Sequence, residues 1–194
     1  MPKVVDIERR RAELTEATAR LIARSGIESA TMREVAAEAG WTTGALTHYF
    51  ADKRELLLTT FQASLANRRS QRPADDTTPP IEQLRASLEG ALPLDESRRR
   101  HWTVTIAFCS HANGDAELAA AQQAAYREFR DHVAALARRS GLVDTRHARV
   151  FAERLIAAAD GIALQALFDE QSWPPARQLA RLDELLAALG FDAG

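Results

Sequence analysis

The sequence predicts an all-α fold of about nine helices, and three observations carry that expectation. Apolar residues recur at three- and four-residue spacing along most of the chain, and strand-like alternation is almost absent. Ala, Leu, Arg and Glu dominate the composition, and these side chains lose little freedom in a helix. Glycine, proline and Ser-Gly or Asn-Gly pairs punctuate the chain where helices would have to end.

Taken in order, the first helix is expected from about Asp6 to Arg24, with Ile7, Leu14, Leu21 and Ile22 on one stripe. Ser25-Gly26 ends it, because glycine tolerates the left-handed conformation that closes a helix. Thr31-Met32-Arg33-Glu34 reads as a capping box, in which Thr31 caps the amide of Glu34 and Glu34 reaches back. The helix it opens turns Met32, Val35, Ala36 and Ala39 inward, and Gly40 stops it after about two turns. Thr42 caps a further short helix closing near Tyr49. Asp52-Lys53-Arg54-Glu55 starts a longer helix through Leu56, Leu57, Phe61 and Leu65 to about Arg69. "QRPADDTTPP" (71–80) has three prolines and no apolar period, so it is a loop. Helices are then expected near 80–89, 95–112, 115–139, 145–170 and 174–189. Gly90 with Pro93, Asn113-Gly114, Ser140-Gly141 and Trp173-Pro174-Pro175 break them. The stretch from Arg146 to Phe168 is apolar on more than one face, so it must be covered on more than one side.

Composition narrows the function. The chain has 194 residues, 46% apolar and 27% charged, as in an ordinary globular protein with a sizeable core. No run of about 18 apolar residues suggests a membrane span, and the charged start "MPKVVDIERRR" lacks the apolar region of a signal peptide. One cysteine, Cys109, excludes an internal disulfide and a multi-cysteine metal site. These features point to the cytoplasm. Residues 1–72 carry 12 Lys and Arg against 9 Asp and Glu, a net +3, while residues 73–194 carry 13 against 18, a net −5. Only the N-terminal end therefore suits a polyanion.

Two short capped helices joined by Gly40-Trp41 form a helix-turn-helix pattern. In that motif the second helix enters the DNA major groove. Its groove face needs short or hydrogen-bonding side chains, and Thr42, Thr43, Gly44, Thr47 and His48 supply them, with Thr31 at the neighbouring helix start. Gly44 allows close backbone approach. Leu46 is expected to face the core with Trp41 and Phe50. Tyr49 and Lys53 stand at the far edge, where a phenol and an ammonium bind phosphate.

"TMREVAAEAGWTTGALTHYFADKRELL" (31–57) resembles the DNA-binding signature of the TetR family of transcriptional regulators. Thr31, Ala36, Ala39-Gly40, Thr42, Gly44, Leu46, Tyr49-Phe50, Lys53 and Leu56-Leu57 carry the resemblance, together with Gly26 and the helix before it. It covers roughly the first 60 residues. Two positions depart: Trp41 replaces a smaller aliphatic residue, and Thr47 replaces a tyrosine, which bears on base preference. "RHWTVTIAFCSHANGDAELAAAQQAAYREFRDHV" (100–133) and "AAADGIALQALFDEQSWPP" (157–175) are similar to the BetI-like branch of C-terminal regions.

The resemblance implies a helix-turn-helix domain over 1–51 and a ligand-binding and dimerisation domain over 52–194. It implies a homodimer on a palindromic double-stranded operator, repressing transcription in preference to activating it, and a small-molecule effector. Phe61, Leu65, Trp102, Ile106, Cys109, Tyr126 and Phe129 are the candidates to line an effector cavity, although aromatic residues at helical spacing more often build plain core. The last two helices are expected at the dimer interface through Ala157, Gly161, Leu164, Phe168, Leu182 and Leu186.

An enzyme is the contrasting reading. The chain has no G-x-S-x-G elbow, P-loop or dinucleotide-binding glycine pattern. His101, Cys109 and His111 do not share one helix face, so no metal or cofactor site is expected, and Cys109 reads as an inert buried thiol. A helical adaptor that binds only proteins would explain the helices and the dimer, but not the threonine-rich capped turn.

Overall fold

Leucine and alanine at helical spacing fold as their period requires. The computed structural model describes residues 2–70, 77–112 and 114–189, and among these there are nine α-helices and no strand. They are α1 (Pro2–Ser25), α2 (Met32–Glu38), α3 (Thr43–Leu46), α4 (Lys53–Ser70), α5 (Pro80–Glu89), α6 (Glu96–Ala112), α7 (Ala116–Arg139), α8 (Ala148–Phe168) and α9 (Pro175–Ala188). A 3-10 turn at Ile27–Ser29 precedes α2. Residues 71–76 of the expected loop and Asn113 of the expected break lie outside the described residues.

The chain divides into two compact units. One comprises Met1–Asn67 with Thr103–Gln122 and the other Arg68–Trp102 with Gln123–Gly194. In the first, Leu14 and Ile22 of α1, Val35 of α2, Leu46 of α3, Leu56 and Phe61 of α4 and Phe108 of α6 meet in one apolar core. Phe61 and Phe108 stack at 4.9 Å. Burial of each such side chain contributes about 1.5–3 kcal/mol. In the second unit, Leu84 and Leu88 of α5, Leu155 of α8 and Leu182 and Leu186 of α9 are buried. The Trp102 indole N–H, also buried, donates to the Ala91 carbonyl at 2.7 Å.

Several expectations need correction. Leu182 and Leu186 do not belong to an outer interface: they are 0% and 1% exposed within the chain itself, on the face of α9 that packs against α8 and α5. Their four-residue spacing marks an apolar face without saying what covers it. Ile7 is 46% exposed, because the packed part of α1 starts later than its stripe. Cys109 is exposed and not buried. The helix closing near Tyr49 ends at Leu46: beyond it the amides of His48 and Tyr49 bond three residues back, to Ala45 and Leu46, which tightens the turn. Half of the capping box at Thr31 forms. Thr31 accepts from the Glu34 amide at 3.2 Å, while the Thr31 amide donates to the Ser29 carbonyl and the Glu34 carboxylate pairs with Arg33.

Candidate nucleic-acid interface

Gly40 sets the angle between α2 and α3. Its φ of 74° lies in the left-handed region, which costs a side-chain-bearing residue roughly 1 kcal/mol or more. The turn then brings the Trp41 amide to the Ala36 carbonyl at 2.7 Å. Thr42 caps α3 by accepting from the Ala45 amide at 3.2 Å. Leu46 and Phe50 are 0% and 1% exposed and hold α3 to the core.

With those anchors inside, Thr42, Thr43, Gly44, Thr47 and His48 all lie exposed. The Thr47 hydroxyl donates to the Gly44 carbonyl at 2.9 Å, leaving its methyl and lone pairs outward. Among the described residues nothing lies within 4 Å of a Cβ built on Gly44, and its φ is not positive. The fold itself therefore does not require glycine there. Thr31 is exposed at the start of α2.

Residues that sequence spacing did not single out secure this surface. Arg11 of α1 donates to the Tyr49 carbonyl, to Glu55 at 3.0 Å and to Thr59 at 3.3 Å, with its guanidinium 4.3 Å from the Phe50 ring centre. A cation there satisfies a carbonyl that the end of α3 leaves open. Arg10 lies 5.3 Å from the Trp41 ring centre, and Trp41 meets Tyr49 edge-on at 5.4 Å. Trp41 thus takes part in a layer of Arg10, Trp41 and Tyr49, which uses the larger ring. Tyr49 is half-buried.

At the start of α4, Asp52 accepts from the Glu55 amide and Glu55 accepts from the amide of Ala51, one residue before the cap, both at 2.8 Å, so a variant of the box closes here. The Ala51 amide, with Arg11 beside it, holds the Glu55 carboxyl below its ordinary range. Lys53 lies 3.6 Å from Glu28, whose other oxygen is 3.1 Å from His111. Arg54 grips Asp115 through two bonds of 2.6 and 2.8 Å and Glu117 through a third at 2.8 Å. Asp115 also accepts from the Glu117 and Leu118 amides at the start of α7. Arg54, assisted by the Leu118 amide, pulls the Asp115 carboxyl far below the usual range. A cap at Asp115 was legible from its place after Gly114. Its partner 61 residues away carries no local signal.

The candidate effector residues divide between the units. In the first, Phe61 is buried, Leu65 and Ile106 are half-buried and Cys109 is exposed. In the second, Trp102 and Phe129 are buried, while Tyr126 is exposed and donates its hydroxyl to Asp160 at 2.9 Å. Of the expected interface residues, Ala157, Leu164 and Phe168 are exposed and Gly161 is half-exposed on α8.

Comparison with known proteins agrees with this geometry. The family model of bacterial regulatory proteins of the tetR family matches residues 14–60, and that of the BetI-type transcriptional repressor C-terminal region matches residues 80–190. The HTH-type transcriptional regulator PksA of Bacillus subtilis (strain 168) is 34% identical over 173 residues, covering 87% of this chain and 84% of that protein. The HTH-type transcriptional regulator BetI of Vibrio campbellii is 29% identical, covering 88% and 87%. A transcriptional regulator from Rhodococcus sp. Rha1 superposes with a TM-score of 0.83 at 28% identity, covering 92% of this chain and 95% of that one. A regulator from Saccharomonospora viridis solved in complex with choline shares the fold, with a TM-score of 0.84 at 21% identity over 93% and 96%. With a helix-turn-helix segment and a C-terminal region that both match, the chain belongs to the TetR family of transcriptional regulators and carries a BetI-type C-terminal region.

Proposed function

We propose that this protein is a ligand-responsive repressor that binds a palindromic operator as a homodimer. The observation that carries the reading is the exposed face of Thr42, Thr43, Gly44, Thr47 and His48, on a helix held from beneath by Leu46 and Phe50. Short hydroxyl side chains and a bare backbone suit the floor of a major groove, and Lys53 and Tyr49 suit its phosphate edge. The division of labour is a DNA-reading domain over 1–51 and an effector-binding and dimerisation domain over 52–194. A DNA target places the work in the cytoplasm.

The switch acts through α4. The first turn of α4 adjoins the reading helix in sequence, and Arg54 ties it to Asp115 at the start of α7. An effector that binds one arrangement of these helices better than another changes operator affinity by that difference in affinity. Phe61, Leu65, Trp102, Ile106, Cys109, Tyr126 and Phe129 are the side chains proposed to meet the effector. The exposed stripe of α8, with Ala157, Gly161, Leu164 and Phe168, is proposed to meet the second copy.

The test is a gel shift on DNA from upstream of the protein's own coding region, with unrelated DNA as competitor and a panel of small metabolites. The expected result is a sequence-selective complex that weakens as salt rises and is released by one class of metabolite. Equal affinity for unrelated DNA at every salt concentration would overturn the reading.

A further inference from the structure

Glu28 is shared by two partners from distant parts of the chain. It stands in the 3-10 turn before α2, where the buried Ile27 beside it anchors the backbone. One of its carboxylate oxygens lies 3.6 Å from Lys53 Nζ at the start of α4. The other lies 3.1 Å from His111 Nε2 in the last turn of α6. All three residues belong to the first unit. Lys53 is the side chain assigned above to the phosphate edge. Whatever competes with it for Glu28 therefore sets how much of its charge is left for DNA.

His111 is built to compete to different degrees. Histidine is the side chain whose charge ordinarily changes between about pH 5 and 8, whereas lysine keeps its charge there. The His111 ring meets an acceptor at each nitrogen. Glu28 takes Nε2, and Ser110 Oγ lies 3.4 Å from Nδ1. Ser110 spends its own proton on the Ala107 carbonyl at 2.7 Å, so it offers the ring lone pairs. That arrangement serves a ring with both N–H groups in place, and the end of a helix suits a positive charge.

The charges around the ring set the sign. His111, Lys53, Arg54 and Asp115 line one hollow of about 410 Å³ together with the buried Leu57 and Leu118. Arg54 is occupied by Asp115 and Glu117. With His111 neutral, two cations, Lys53 and Arg54, stand among three carboxylates, Glu28, Asp115 and Glu117, which leaves the cluster one negative charge in excess. A proton on His111 balances the cluster and gives Glu28 a second cation, at the shorter of its two contacts.

We propose that His111 is a positioning residue for the phosphate contact: when protonated it draws Glu28 from Lys53 and frees that ammonium for DNA, so operator affinity rises as pH falls through the histidine range. The inference rests on the reading of Lys53 as a phosphate contact and adds a regulator to it. Glu28 is largely exposed, so solvent screens the effect to a few-fold. His48, exposed on the reading face, is a second histidine near the DNA. The signature is therefore the part of the pH response that depends on His111.

Fluorescence anisotropy of a labelled duplex from upstream of the protein's own coding region, with unrelated DNA as competitor and at fixed ionic strength, tests it. Between about pH 8 and about pH 6 the parent should gain roughly threefold more affinity than His111→Gln, which keeps an N–H donor for Glu28 but never the charge. Glu28→Gln should bind more tightly than the parent at the upper pH and gain less on acidification, because Lys53 is already free. Its exposed position keeps the fold if His111→Gln does not, and thermal melts at each pH identify the folded samples. A folded His111→Gln with the parent's pH response, or a Glu28→Gln with the full parental response, would overturn the proposal and leave the DNA-binding reading standing. Absence of sequence-selective binding at every pH would overturn both.

Discussion

Gly44 separates what folding needs from what DNA would need. A Cβ at that position meets nothing among the described residues, so Gly44→Ala should keep or raise stability, by up to about 1 kcal/mol, through a less flexible unfolded chain. The same methyl would stand between the helix and a groove floor, so operator affinity should fall. Thermal melts and gel shifts on one preparation measure both, and undiminished affinity would remove Gly44 from the contact face. Thr43→Ala and Thr47→Ala should weaken binding to the operator more than to unrelated DNA. Lys53→Ala should weaken both and lower the salt slope by about one unit. On the proposed DNA-binding reading Lys53 would give up its Glu28 contact to a phosphate, so Glu28→Gln should strengthen DNA binding slightly, where loss of a purely structural ion pair would not.

At the scale of elements, the junction of α4 and α7 adds an ion pair to its apolar contacts. The Asp115 carboxyl titrates well below its ordinary range because Arg54 holds its charged form, with backbone amides helping. A folded-state value below the unfolded one means the contribution is complete above the unfolded value of about 3.9 and is lost as pH falls below it. Asp115→Asn keeps an acceptor for the α7 amides but drops the charge. Stability measured from pH 5 down to pH 2 should therefore fall less steeply in Asp115→Asn than in the parent. Identical acid limbs would show that the pair contributes nothing there. α9 offers a contrast: Leu182→Ala empties a core position and should cost about 2–5 kcal/mol in a denaturation experiment.

At the scale of the whole molecule, α8 leaves Val150, Leu164 and Phe168 respectively 48%, 44% and 75% exposed on one stripe with Ala157 and Gly161. A stripe of this kind, with small residues between large ones, suits a two-fold mate. Phe168→Glu should convert a dimer to a monomer in sedimentation at micromolar concentration while leaving the helix content unchanged. Binding should then persist only as weak half-site contact, because a two-fold pair is what sets two reading helices about 34–36 Å apart. A parent protein that already sediments as a monomer would remove this role for α8.

Local chemistry made much of this legible. The helices of the described residues, the Gly40 turn, the Thr31 and Thr42 caps and the outward threonines followed from periodicity, capping and glycine's conformational range, all of which act within a few residues. The division between core and surface on α9 did not, because a leucine stripe is the same in sequence whether α5 and α8 or a second chain covers it. Nor did the exposure of Cys109, because consecutive residues of a helix point to different sides and apolar neighbours in sequence do not bury it. The grips of Arg11 on Tyr49 and of Arg54 on Asp115 depend on residues brought together across the chain. The sequence by itself determined which helices form and which short face could read DNA. Only the tertiary structure decided which charges pair and which leucines are covered within the chain, because those depend on distances that no local pattern encodes.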